Sequence, residues 1–276
     1  MTSNPDRLAI IGGGKIGEAL LSGLLRQSAD ADAGDILMVE HYPERIRYLR
    51  ERYRIRVVEV AEAVQSCGTI LIAVKPQDID PLLHQLADLV TAEHLIVSVA
   101  AGITTARIER GLPAGPAVVR CMPNTPALVD EAMTAISAGA RATQQHLQRA
   151  DELLSAVGRV VRVPESQLDA VTALSGSGPA YFFFLVEAMI DAGILLGLPR
   201  ALAAELIVQT LVGSAVMLRD SGEHPVQLRE AVTSPAGTTI SAIRELENHG
   251  VRAAFLAAIE AARNRSAELG RAADAE

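Results

Sequence analysis

Aromatic residues make up only 3% of this 276-residue sequence, cysteine occurs twice, and lysine and arginine never gather into a run. Each shortage excludes something. With a formal net charge of −8 and no basic cluster, the chain offers no positive footprint for nucleic acid or an anionic membrane surface. Cys67 and Cys121 form neither a metal-ligand spacing nor a disulfide framework, which fits a reducing cytoplasm. Residues 1–7 are polar and lack the apolar stretch of a signal peptide, and every long apolar run is interrupted by a charge, Pro or Gly. The longest, near residues 181–198, carries Glu187 and Asp191 and reads as a buried helix. The expectation is a cytoplasmic protein with no nucleic-acid or membrane partner. At 49% hydrophobic and 21% charged residues the composition is that of a folded chain, and the length favours two domains.

What is present falls into two halves. Residues 8–11, 36–39, 69–74, 94–99 and 117–121 are short apolar runs rich in Val and Ile, and residues 18–25, 43–52, 79–89 and 104–109 between them read as helices. This alternation predicts βαβ units and a mostly parallel, doubly wound sheet. Strands over 132–137 and 159–163, around a helix within 144–157, would extend it. Beyond residue 163 the strand signal vanishes. Residues 164–174 read as helical, Ser175-Gly176-Ser177-Gly178-Pro179 as a break, and helices are predicted over 180–196, 200–218, 226–231, 240–248 and 251–269. Gly197 and Pro199 supply stop and start signals. The predicted organisation is an α/β Rossmann domain over 1–163 followed by an all-α domain over 164–276. Half of the aromatics are consecutive, Tyr181, Phe182, Phe183 and Phe184, and four neighbours cover every side of a helix. Such a helix needs partners all round, either from a second subunit or as the central helix of a monomer core.

Gly12-Gly13-Gly14-Lys15-Ile16-Gly17 follows the first strand and opens a helix, the context in which GxGxxG binds a dinucleotide. Gly12 allows the tight turn, Gly14 lets the backbone approach the pyrophosphate, and Gly17 lets helix and strand pack closely. The helix start at Lys15 and Ile16 supplies N–H groups and a positive dipole end. Glu40, with His41 after it, ends the second strand, where a carboxylate would take the adenosine ribose hydroxyls and repel a 2′-phosphate. That favours NADH over NADPH. Arg45 and Arg47, one turn on, suit a phosphate instead or pair with the glutamate. Ala73, Val74, Lys75 and Pro76 follow the third run, on the nicotinamide side of the cleft, with Lys75 placed for cofactor ribose or an anionic substrate. Ala101 belongs to a small-residue loop with room for a flat ring, and Asn124 is either a cofactor contact or a turn former. Ser234-Pro235-Ala236-Gly237-Thr238-Thr239 precedes a helix, and its N–H groups and hydroxyls suit a carboxylate or simply cap the helix.

These motifs resemble the pyrroline-5-carboxylate reductase family over residues 8–270: AVKPQ at 73–77, RCMPNTP at 120–126, LDAVTALSGSGPAY at 168–181, LGLPR at 196–200 and VTSPAGTT at 232–239. The resemblance implies reduction of a cyclic imine to L-proline by NADH or NADPH without a metal. It also implies a helical domain that interlocks with its twin as a homodimer, or in larger assemblies of dimers. It places the substrate carboxylate on the N–H groups of Gly237 and Thr238, and the ring nitrogen on the Thr239 hydroxyl. Four positions depart from the family's habit: Glu40, Val60, Ala132 and Ala236, the last standing where Gly is usual. The scattered histidines are consistent with a reaction that needs no general acid. Two other readings are a β-hydroxyacid dehydrogenase, which would want a lysine that residues 164–276 lack, and a non-catalytic dinucleotide sensor.

Overall fold

The computed structural model describes residues 4–27 and 35–275. Two compact units divide the chain. The first comprises residues up to Ser177 together with 262–276, and the second runs from Gly178 to Ala261.

The first unit opens with β1 (Asn4–Ile11), α1 (Lys15–Gln27), β2 (Ile36–Val39), α2 (Pro43–Tyr53), β3 (Arg56–Val57), α3 (Val60–Ser66), β4 (Cys67–Ile72) and α4 (Ile79–Leu86). It continues through β5 (Leu95–Ser98), α5 (Thr105–Gly111), β6 (Ala117–Met122), β7 (Ala132–Ala138), α6 (Gln144–Leu154) and β8 (Gly158–Arg162) to α7 (Leu168–Val171). The eight strands form one sheet in the order β3-β2-β1-β4-β5-β6-β7-β8. All pairs are parallel except β6 with β7. The order reverses beside β1, so the clefts at the C-terminal ends of β1 and β4 form the switch point where ligands of such sheets bind.

Alternation along each strand feeds two core layers. Leu8 and Ile10 pack with Leu20, Leu21 and Leu154 of α1 and α6 on one face. Ala9 and Ile11 pack with Val64, Ile79 and Leu83 of α3 and α4 on the other. A sheet covered on both sides needs apolar residues at every position, and Ile36, Leu37, Met38 and Val39 are all buried. β3 and α3 carry little apolar signal of their own and were absent from the sequence expectation. Val60 is buried in the second layer.

Of two expectations for the chain beyond β8, the first is met and the second needs correction. The run at 175–179 does interrupt the helix. Residues Thr172–Gly176 form a π-helical turn, with Ser177 N–H bonding Thr172 O at 2.8 Å; Ser177 itself is a bend, and α8 (Gly178–Leu195) begins after it. Pro179 sits in the first turn of α8, where its missing N–H costs nothing. Second, α8 is not buried within the chain. Its one buried residue is Gly178, and Phe183 and Phe184 are 68% and 71% exposed.

The second unit holds α8, α9 (Arg200–Ser221), α10 (Pro225–Ala231), α11 (Thr238–Asn248) and the start of α12 (Val251–Ala275). The run 165–195 and α9 are long and apolar enough to cross a membrane, by length and composition only, yet just 6% of each window is buried in this chain. The last part of α12 belongs to the first unit, where Ser266 Oγ donates to the Asp169 carboxylate at 2.7 Å. The last strand ends at Arg162, while packing carries the first unit on to Ser177.

Candidate active site

At the switch point lies a cleft of about 800 Å³ lined by the glycine loop, the end of β2, the head of α2 and residues 73–75. The loop is built for a backbone-to-ligand approach. Gly12 has φ +106°, and a Cβ there would meet the Ala73 carbonyl oxygen at 2.7 Å. A Cβ on Gly17 would lie 2.0 Å from the Gly12 carbonyl oxygen, whereas one on Gly14 would meet nothing within 4 Å. Gly12 and Gly17 therefore hold the turn closed, and Gly14 faces open space. α1 begins at Lys15, so the first N–H groups of that helix lack intrahelical partners. The cradle fits a dinucleotide pyrophosphate. Lys15, Ile16 and Gly17 do not line the cleft wall; they stand at the head of α1, with Ile16 packed against the core.

Glu40 and His41 line the far end of the cleft. The Glu40 carboxylate is oriented by backbone donors: Gly13 N–H to Oε2 at 2.9 Å, and His41 and Tyr42 N–H to Oε1 at 2.7 and 3.1 Å. Arg45 does not pair with Glu40. Its Nε donates to Gly13 O at 2.5 Å, and its Nη2 forms an ion pair with Glu18. Tyr48 and Tyr53 hydroxyls also donate to Glu18, at 2.9 and 2.8 Å. Burial would raise the Glu18 carboxyl, but the bonds from Arg45, Tyr53 and Tyr48 outweigh it and hold its pKa below the ordinary value. Burial and the same carboxylate push the Tyr53 phenol up. Arg47 is exposed.

At the other end Ala73, Val74 and Lys75 line the cleft. Pro76 opens a short 3-10 turn over Pro76–Asp78, closed by Asp78 N–H to Lys75 O at 2.9 Å, which fixes the lysine's backbone. Ala101 is exposed in the loop after β5 and does not line the cleft. Asn124 has a structural task. Its Oδ1 accepts from Met133 N–H at 3.0 Å and its Nδ2 donates to Ser175 O at 3.1 Å, so the side chain ties the β6 end to β7 and the π turn.

Sequence reasoning missed Glu18, Tyr48 and Tyr53, whose partners come from another helix, and it missed Glu165. That carboxylate accepts from Thr105 N–H at 2.8 Å, Thr105 Oγ1 at 2.6 Å and the buried Arg120 guanidinium at 3.1 Å. It clamps the start of α5 and β6 to the segment entering α7. Burial pushes the Cys67 thiol up to about 11 and the Cys121 thiol further still, so neither is a reactive thiolate at neutral pH.

In the second unit, residues 234–237 form a turn closed by Gly237 N–H to Ser234 O at 3.1 Å, with Pro235 second and Ala236 third at φ +56°. A positive third position marks a type II turn, which favours Gly there. Gly237 is the N-cap of α11. Its own N–H donates to Ser234 O within the turn. The N–H groups that a helix start leaves without intrahelical partners are those of Thr238, Thr239 and Ile240. Thr239 is half-buried and Thr238 exposed.

Among the described residues, no group of three or more His, Cys, Asp or Glu side chains could hold a metal.

Comparison with known proteins finds a family match in each half of the chain. Residues 165–269 match a family described as Pyrroline-5-carboxylate reductase dimerisation, a domain of self-association. Residues 7–102 match one described as NADP oxidoreductase coenzyme F420-dependent. The pyrroline-5-carboxylate reductase of Mycobacterium tuberculosis is 48% identical, over 95% of this chain and 96% of its own. A solved pyrroline-5-carboxylate reductase from Coxiella burnetii is 34% identical with a TM-score of 0.90, covering 96% of this chain and 99% of its own. The Plasmodium falciparum pyrroline carboxylate reductase, solved with NADP bound, is 26% identical with a TM-score of 0.85, covering 98% of this chain and 100% of its own. With both halves matched and relatives spanning nearly its whole length, the chain belongs to the pyrroline-5-carboxylate reductase family.

Proposed function

We propose that this protein reduces 1-pyrroline-5-carboxylate to L-proline with NADH or NADPH, the last step of proline biosynthesis. The observation that carries the reading is one chain that joins a dinucleotide cleft to the turn and helix start at 234–239, along a length 48% identical to the M. tuberculosis reductase. Bound nicotinamide supplies the hydride for the imine carbon, and the ring nitrogen ends as an amine. The protein's task is to hold and orient. The glycine loop and the head of α1 would take the pyrophosphate, Glu40 the adenosine ribose, and Lys75 the ribose on the nicotinamide side. The free N–H groups at the head of α11 would take the substrate carboxylate, and the Thr239 hydroxyl the ring nitrogen. A protonated imine accepts hydride without further activation, so orientation, worth up to roughly 7–11 kcal/mol, does most of the work.

The same reading favours NADH, because the Glu40 carboxylate would repel a 2′-phosphate. Residues 164–276 would form the interface of a cytoplasmic homodimer or of larger assemblies of dimers, with the exposed aromatics of α8 in it. Initial rates with the imine and each cofactor, with and without a chelator, test the proposal. Turnover that survives the chelator is the expected result. Dinucleotide binding without turnover would return the sensor reading.

A further inference from the structure

We propose that Glu18 sets the choice between NADH and NADPH by withholding Arg45 from the adenosine 2′ position; the inference rests on the cofactor reading of the cleft. Discrimination at this end of a Rossmann cleft turns on an acid that takes the ribose hydroxyls or a nearby arginine that takes the phosphate. Both residue types are present, since Glu40 and Arg45 line the same cleft. What separates them is where the guanidinium is spent. Arg45 Nε is bonded to the Gly13 carbonyl and Nη2 to Glu18, with the two side chains only 28% and 17% exposed. The guanidinium also lies over the Tyr48 ring, 4.9 Å from its centre.

Glu18 is held as firmly as it holds. Its Oε2 faces Arg45, and its Oε1 accepts from both Tyr48 and Tyr53, so three residues of α2 converge on one acid of α1. Recognition of a phosphate by arginine depends on presenting the planar fork to the ligand. With Nε on Gly13 O and Nη2 on Glu18, the Nε/Nη2 edge of the guanidinium cannot take a phosphate bidentately without breaking both bonds, which leaves only its Nη1 end. Glu18 thus acts through Arg45 and is a positioning residue for cofactor choice. The Glu40 carboxylate supplies the repulsion, and Glu18 removes the attraction that would offset it.

The test uses adenosine fragments on the full-length protein, so that catalysis plays no part. Calorimetry compares 5′-AMP with adenosine 2′,5′-bisphosphate. Glu18→Gln keeps the shape and the tyrosine bonds but loses the ion pair. It should tighten the bisphosphate by roughly tenfold, about one charge-assisted hydrogen bond, and leave 5′-AMP unchanged. Arg45→Gln alone should leave the preference between the two fragments as it is, because the Nε/Nη2 edge is already engaged, and in the double variant the gain should vanish. If Glu18→Gln misfolds, the Arg45→Gln comparison decides. Arg45→Gln weakening only the bisphosphate would overturn the proposal, as would Glu18→Gln shifting both fragments alike. If 5′-AMP binds and the preference does not move, the cofactor reading stands and this proposal falls. If neither fragment binds the wild type, both fall.

Discussion

The two units of this chain solve the burial problem in opposite ways. In the first, strand residues such as Ile10, Leu37, Ile70 and Val97 are at or near zero exposure, covered on both faces by helices of the same unit. In the second, large side chains such as Phe184 and Leu196 stand 71% and 83% exposed, and Ala203 is the one buried residue of α9. A helical unit that exposes this much apolar surface is half of an interface, which agrees with the family match to a dimerisation domain. The difference teaches that cofactor binding is built on a self-sufficient scaffold, while the proposed substrate loop at 234–239 sits on a unit whose core depends on association.

That contrast breaks most visibly at α8. Phe183→Asp puts a charge where an apolar ring should be covered. The lost burial is about 1.5–3 kcal/mol per large side chain, and a desolvated carboxylate adds to it. Light scattering should report a smaller species, with helical content lost before the sheet unit melts. Unchanged mass and melting would mean that the helical unit stands alone.

Next in size is Thr239→Val, which keeps the branched shape and removes the hydroxyl. A hydrogen bond to a charged group is worth about 1.5–3 kcal/mol, so kcat/KM for the imine should fall roughly ten- to hundredfold with NADH affinity retained. A lowered melting point with intact kinetics would leave Thr239 as a helix-start residue only.

Glu40→Ser tests the first unit in the complementary way. The ratio of kcat/KM for NADH over NADPH should drop by about tenfold, the order expected when one charge-assisted contact is lost. The KM for the imine should hold. A wild type that already prefers NADPH would show that Glu40 does not govern the choice.

The smallest effect is expected at Ala236. A non-glycine residue at φ +56° carries a left-handed strain of about 1–2 kcal/mol, partly offset by the entropy a glycine would lose. Ala236→Gly should therefore stabilise by under about 1 kcal/mol and raise the melting temperature slightly. A lower one would mean that the turn is not under strain.

Much of this was legible in the residues. The strands show as apolar runs because a sheet covered on both faces demands them, and the glycine loop shows because its close approaches admit nothing larger. VTSPAGTT announces a turn before a helix. β3 escaped notice because a two-residue edge strand has no period to read, and α3 because seven residues carry too little helical pattern. The Ser175–Pro179 run reads as a break and is one, but the π turn that leads into it and the tertiary bonds it makes have no local signal. One of those bonds, from Asn124 to Ser175 O, connects residues that no local window contains.

Fold class, the glycine loop of a dinucleotide cleft and the turn before α11 follow from local pattern, because periodicity, turn chemistry and glycine spacing act over a few neighbours. The partner of each polar group does not. Whether Arg45 meets Glu40, Glu18 or a phosphate depends on how α1 and α2 pack, and whether Gly237 N–H faces a ligand depends on the turn's own closure. Those choices are made by side chains and backbone groups that become neighbours only when the chain has folded.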